Sequence, residues 1–355
     1  MKLRLFAILA AVLALAACKR EAYRIDGIFS KDDGTPVYLI DLNGSDTLGV
    51  TAVTDGKFGF EGKIPQPAYV YVGRGRERIR MILQPGTATV NLDSREVSGL
   101  PMMDAINWYN KHFYNFDRNR QIDRTTLMER KDSITLEEFN AAWDELNVAY
   151  IEGKTHLADS MIRANKDNLV GAIVMNDLSI VNPEAFMDLY EVISEPMRTH
   201  KLVTEPYARV KAMTETAPGK MFTDYTIPGG NPDGTDVKLS DYVGKGKYIL
   251  LDHWASWCGP CKAEMPYIKK AYEAFHGDRF DVVGIAVSDK REDSQKAIAQ
   301  LGLPWNQILD GGQLPSQHYG IDAIPHLILF APDGTILRRD LRSEQISTAL
   351  EELLK

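Results

Sequence analysis

Two cysteines three positions apart, Cys258 and Cys261, stand where a strand pattern gives way to a helix pattern. Upstream, residues 248–252 form a short apolar run that reads as a buried strand. Downstream, residues 262–275 read as an amphipathic helix. A separation of three is about one helical turn, which puts both sulfurs on the same side. There they can close a disulfide with little backbone movement. The first sulfur falls at the helix N-terminus, where partial positive charge and free N–H groups favour a thiolate. The second falls one turn in, more buried. The arrangement makes an attacking thiol and a resolving thiol.

The whole chain of 355 residues has three cysteines, the third being Cys18. If lipid consumes Cys18, one pair remains and no thiol is left for a structural disulfide. A single Cys-x-x-Cys in an exported chain then serves chemistry rather than stapling. A zinc site needs two further ligands, and the scattered histidines, His112, His156 and His200 among them, show no ligand spacing. No metal or cofactor is called for. The net charge of −8 comes without a long basic run, which argues against a nucleic-acid partner.

Residues 1–18 read as a targeting segment. Lys2 and Arg4 open it, and 5–17 is an unbroken apolar run too short to span a bilayer comfortably. It ends in Leu15-Ala16-Ala17-Cys18, which resembles the bacterial lipoprotein cleavage box. The resemblance implies cleavage before Cys18, lipid on that residue, and a protein tethered to a membrane in the cell envelope, facing the periplasm. Lys19 stands where some inner-membrane lipoproteins carry aspartate, which leans towards the outer membrane.

Residues 22–98 alternate apolar and polar in short runs parted by Asp33-Gly34, Asn43-Gly44, Asp55-Gly56 and Pro85-Gly86. They predict an all-β, sandwich-like domain or open barrel. Its layout resembles an uncharacterised β-domain found ahead of thioredoxin-like domains in bacterial lipoproteins. Arg74, Arg76, Arg78 and Arg80 read as a solvated strand face. Residues 100–215 read as a helical segment that packs between the end domains or spaces them. Thr135 and Glu138 make a capping box there, and Asn182-Pro183 opens a further helix. The Phe139, Trp143, Leu146, Tyr150 stripe reads as core. From 218 to 355 strands alternate with helices, an α/β pattern. The strands are expected at 248–252, 280–287, 326–330 and 336–341, and the helices at 262–275, 293–301 and 343–354.

Residues 221–355 resemble a thioredoxin-fold domain of the membrane-anchored TlpA/ResA type. The resemblance rests on Trp257-Cys258-Gly259-Pro260-Cys261-Lys262, Pro266 five after Cys261, Asp252 six before Cys258, Ile324-Pro325, and a long segment between Val287 and Tyr319. It implies a multi-domain protein: an all-β N-terminal domain, a central helical segment and a C-terminal thioredoxin-like domain. It also implies that Cys258 is the nucleophile and Cys261 the resolving thiol. Asp252 would be a buried acid of raised pKa that takes the Cys261 proton. Pro325 would be cis, turning the Ile324 backbone towards an extended client segment. Trp257, Gly259 and Pro260 would face that client, and Trp254 would flank the site with Trp257. The family also uses an acid from its extra segment, for which Glu292 and Asp293 are candidates. His253 stands where thioredoxins carry Phe, and alternation points it away from Asp252. His326 stands where they carry Thr; beside the sulfurs it would titrate around neutral pH.

The Gly259-Pro260 pair implies a reducing enzyme acting on exported cysteine-containing proteins, apocytochrome c among the natural clients. Such an enzyme needs a membrane-embedded thiol reductase as electron donor. Two other classes compete. A thiol peroxidase of the peroxiredoxin class shares the fold but places Thr or Ser three before its cysteine, where this chain has Ala255, and a Pro four further upstream, where it has no proline. A non-enzymatic, partner-binding lipoprotein would not need both cysteines intact.

Overall fold

The structure is a computed structural model and describes residues 21–354; the leader and Cys18 lie outside the described residues. The described residues form two compact units, divided between Glu205 and Pro206.

The N-terminal unit opens with eight strands: β1 (Ala22–Ile28), β2 (Val37–Asp41), β3 (Thr47–Thr51), β4 (Lys57–Lys63), β5 (Ala68–Arg74), β6 (Glu77–Leu83), β7 (Gly86–Asn91) and β8 (Glu96–Ser98). They make two four-stranded sheets, ordered β4-β1-β7-β8 and β3-β2-β5-β6. Strict alternation in β1 buries Tyr23 and Ile25 while Arg24 and Asp26 face out. β1 pairs antiparallel with β4 and parallel with β7. Arg74 departs from the solvated face expected of it. It is buried, forks onto both carboxylate oxygens of Asp33 at 2.6 and 3.0 Å, and stacks over Phe29. Arg76, Arg78 and Arg80 are exposed.

Helices follow: α1 (Pro101–Glu129), α2 (Leu136–Ala164), α3 (Leu169–Val181), α4 (Pro183–Tyr190), α5 (Glu195–Arg198) and α6 (Lys201–Glu215). The helical segment is no free spacer. Its residues Met103, Ile106, Leu169, Val170 and Ile173 enter the same core as Ile25, Leu39 and Val72 of the sheets. The capping box forms as expected, with Glu138 N–H donating to Thr135 Oγ1 at 3.2 Å and Thr135 N–H to Glu138 Oε2 at 2.8 Å. The Phe139–Tyr150 stripe is half-buried rather than core. A two-helix hairpin covers one side only, so Arg124 stacks over Trp143 and Arg120 over Tyr150 from α1. The division between units falls inside α6, at 205/206, ahead of the 215/218 boundary expected from the sequence.

The C-terminal unit adds β9 (Thr226–Ile227), β10 (Val237–Lys238), β11 (Tyr248–Trp254), α7 (Gly259–Phe275), β12 (Phe280–Ala286), α8 (Arg291–Leu301), β13 (Asn306–Ile308), α9 (Leu314–Tyr319), β14 (His326–Phe330), β15 (Ile336–Arg339) and α10 (Glu344–Leu354). Its main sheet runs β13-β12-β11-β14-β15, with β11 central, parallel to β12 and antiparallel to β14. A strand covered on both faces reads as a continuous apolar run, which is why β11 shows no alternation in the sequence. Leu250, Val282 and Leu329 join one core with Met265 and Ile268 of α7 and Leu350 of α10. Leu251, Val283 and Ile328 join the other, with Tyr225 and Ile227.

Candidate active site

The N-cap and first turn of α7, just after β11, carry the sulfurs. Cys258 is the N-cap residue of α7, and Cys261 lies in its first turn. The two form a disulfide with S–S 2.03 Å and Cα–Cα 5.3 Å. Cys258 Sγ accepts the Cys261 backbone N–H at 3.1 Å, and both residues are buried. The helix thus presents a donor and the positive end of its dipole to the first sulfur. Around the sulfurs, Trp257, Gly259 and Pro260 are exposed and Ile324 is half-buried. The Ile324–Pro325 peptide is cis, and Ile324 O lies 3.8 Å from Cys258 Sγ. A cavity of about 440 Å³ opens beside them, walled by Trp257, Ser288, Gln313, Ile321 and Ile324.

On β11, burial and then the charge of Glu264 push the Asp252 carboxyl up to about 7, against the opposing pull of Arg342. Among the described residues neither Asp252 oxygen has a hydrogen-bond partner. Glu264 is buried on α7, and its carboxylate accepts Ser343 N–H at 2.9 Å. Sequence reasoning missed Glu264. The signal was there: it falls three after Cys261, in the buried row of α7 that continues through Met265 and Ile268. Glu292 and Asp293, the acids expected from the extra segment, are exposed in the first turn of α8.

Of the two histidines, His253 packs inside as its place in the strand implies, and His326 departs from expectation. His253 is buried, and its Nδ1–H donates to His326 O at 2.9 Å. Burial pushes it down to about 4. His326 does not titrate around neutrality. Burial, with His253, Arg339 and Arg342 nearby, pushes it down to about 3, so it is neutral at physiological pH. The tryptophans also part company. Trp254 is fully buried and donates through Nε1 to Gln307 Oε1 at 3.0 Å. Gly284 makes room for that glutamine, since a Cβ there would sit 2.2 Å from Gln307 Oε1. Trp257 is 63% exposed and donates to Ser288 O at 3.0 Å. Of the pair, Trp257 alone is available to a partner.

A family model described as the AhpC/TSA family matches residues 218–339, and one described as a domain of unknown function (DUF4369) matches residues 23–106. A thiol-disulfide oxidoreductase ResA from Bacillus thuringiensis subsp. konkukian (strain 97-27) is 28% identical over 123 residues, covering 35% of this chain and 69% of the relative. Another ResA, from Geobacillus thermodenitrificans (strain NG80-2), is 26% identical over 143 residues, 39% of this chain and 80% of the relative. Both carry the same activity in their names. The C-terminal unit is a thioredoxin-fold domain whose homologues are ResA/TlpA-like thiol-disulfide oxidoreductases. A solved thioredoxin domain of a thiol-disulfide oxidoreductase from Bacteroides vulgatus is 34% identical, with a TM-score of 0.36, over 39% of this chain and 99% of that one. In this ResA-like protein the N-terminal β-sheet unit fits the domain of unknown function, and the redox chemistry lies in the C-terminal unit.

Proposed function

We propose that this ResA-like oxidoreductase reduces disulfides of exported proteins from a membrane-tethered position in the cell envelope. The observation that carries the reading is Cys258 Sγ at the cap of α7, 3.1 Å from the Cys261 backbone nitrogen, in a rim of exposed residues. In the dithiol form the Cys258 thiolate attacks one sulfur of a client disulfide. A mixed disulfide forms and one client thiolate leaves. The Asp252 carboxylate takes the proton of the Cys261 thiol. Cys261 then attacks Cys258 Sγ, the second client thiolate leaves, and the Cys258–Cys261 disulfide remains. The client gains two electrons. A membrane-embedded thiol reductase then re-reduces the pair with two more. Pro325 and Ile324 present backbone to an extended client segment, with Trp257, Gly259 and Pro260 as its contact surface. Lipid on Cys18 supplies the tether, at the outer membrane on the strength of Lys19, and apocytochrome c is a natural client. Among the described residues no helix is long and apolar enough to cross a membrane.

A Cys261→Ser chain should accumulate clients on Cys258 as mixed disulfides. If nothing accumulates while Cys258 stays reactive, the roles are wrong. The midpoint potential decides direction: a value near about −270 mV fits a reductase, and one near about −120 mV fits an oxidant. The AhpC/TSA match supports a second reading, a thiol peroxidase of peroxiredoxin type. Peroxide consumption by the reduced protein at rates matching client reduction would favour it.

A further inference from the structure

The loop after β12 grips three of the four residues ahead of Cys258. Val287 N–H donates to Trp254 O at 2.9 Å, and Ser288 O accepts the Trp257 indole at 3.0 Å. The Asp289 carboxylate accepts Ser256 N–H at 2.5 Å and Ser256 Oγ–H at 2.9 Å. It also accepts Ser294 Oγ–H and Lys290 N–H, each at 2.9 Å, which fastens it to the start of α8. Ser288 has φ 50°, a left-handed conformation that a non-glycine residue keeps only where its surroundings fix it.

We propose that Asp289 is a positioning residue for Cys258. Resting on the reading of Cys258 as the attacking sulfur, this makes the extra segment a brace for the loop that delivers that sulfur to the α7 N-terminus. A thiolate gains from the Cys261 N–H and the helix dipole only while the sulfur is held there. Without the brace the Ser256 amide loses its acceptor, the loop samples other conformations, and the thiolate loses its partners. A plain charge effect has the opposite sign, because removing a neighbouring carboxylate favours a thiolate.

The test uses the full chain with Cys18→Ser and Cys261→Ser, which leaves Cys258 as its one thiol. Thiolate absorbance against pH and the alkylation rate at pH 7 are measured beside the melting temperature. Asp289→Ala should raise the Cys258 pKa and slow alkylation, by about tenfold if the thiol titrates one pH unit higher. Asp289→Asn, which keeps an acceptor for Ser256 N–H while losing the charge, should restore most of the rate. If Asp289→Ala fails to fold, Ser294→Ala removes one hydrogen bond and leaves the carboxylate, and a smaller rise is expected. An unchanged or lowered Cys258 pKa in the variant that folds overturns the proposal. With one thiol present, the titration reads the brace whether or not Cys258 is the attacker; client trapping decides that separately.

Discussion

Lys154 in the N-terminal unit and Asp252 in the C-terminal unit are both buried, at 3% and 1% exposure. Lys154 is surrounded by partners: Asp117 Oδ1 at 2.7 Å, Tyr150 OH at 2.8 Å, and the Phe113 ring, whose centroid is 3.9 Å from Nζ. Burial works against the Asp117 charge, yet hydrogen bonds from Lys154 and Tyr150 hold its carboxyl below the usual range. Asp252 has a carboxylate neighbour in Glu264 and no hydrogen bond at either oxygen among the described residues. A buried charge that is fully partnered reads as architecture. A buried acid left without a hydrogen bond, in the strand that leads to the cysteines, is poised to change its protonation.

The sharpest way to break this comparison is Asp252→Asn. Resolution by Cys261 should slow about a hundredfold, the lower range for losing a general base, while Cys258 still forms mixed disulfides. Stability should move the other way. Asp252 rises from an ordinary 3.8 to about 7 on folding, so between those values the folded state holds the extra proton. Stability therefore falls as pH climbs through that window. Asp252→Asn should abolish that fall and stabilise the oxidised protein at pH 8 by on the order of a few kcal/mol. Equal rates and an unchanged melting-temperature profile would contradict the role.

His326 gives the opposite slope. Its value drops from 6.5 to about 3 on folding, so the unfolded chain binds the extra proton between those values. Stability is lost as pH falls below about 6.5, by roughly 2 kcal/mol at pH 5. His253, held down to about 4, adds a limb of similar size, so His326→Gln should remove about half of the acid loss in denaturant melts. An undiminished limb would assign the loss elsewhere.

Lys154→Met tests the partnered side. Asp117 is 44% exposed, so the loss is smaller than for a fully buried pair: about 1–2 kcal/mol by urea unfolding. The midpoint potential of the disulfide should not move. A shifted potential would mean that the N-terminal unit tunes the redox site.

The Cys258–Cys261 disulfide, the alternation of β1 and the capping box of α2 were legible because local rules decide them. The Cys258–Cys261 spacing and the Thr135–Glu138 spacing each depend on one turn of helix. What escaped depends on tertiary surroundings. Arg74 looks like its exposed neighbours until Asp33 and Phe29 arrive from distant turns. His326 looks titratable until folding buries it beside His253, Arg339 and Arg342. The strands β3 and β8 carry little apolar alternation, and pairing with β2 and β7 makes them strands.

Glu264→Gln sharpens the comparison with the smallest change. The amide keeps an acceptor for Ser343 N–H and removes the negative charge that helps hold Asp252 up. Burial remains, so the Asp252 value should fall only part of the way from about 7 towards its ordinary range. The pH at which resolution reaches half its maximum should move down with it, by less than about one pH unit. Maximal rate at high pH should change little if Asp252 alone takes the Cys261 proton. A large drop in that maximum would make Glu264 part of the proton transfer, and the unpartnered acid would then be a pair.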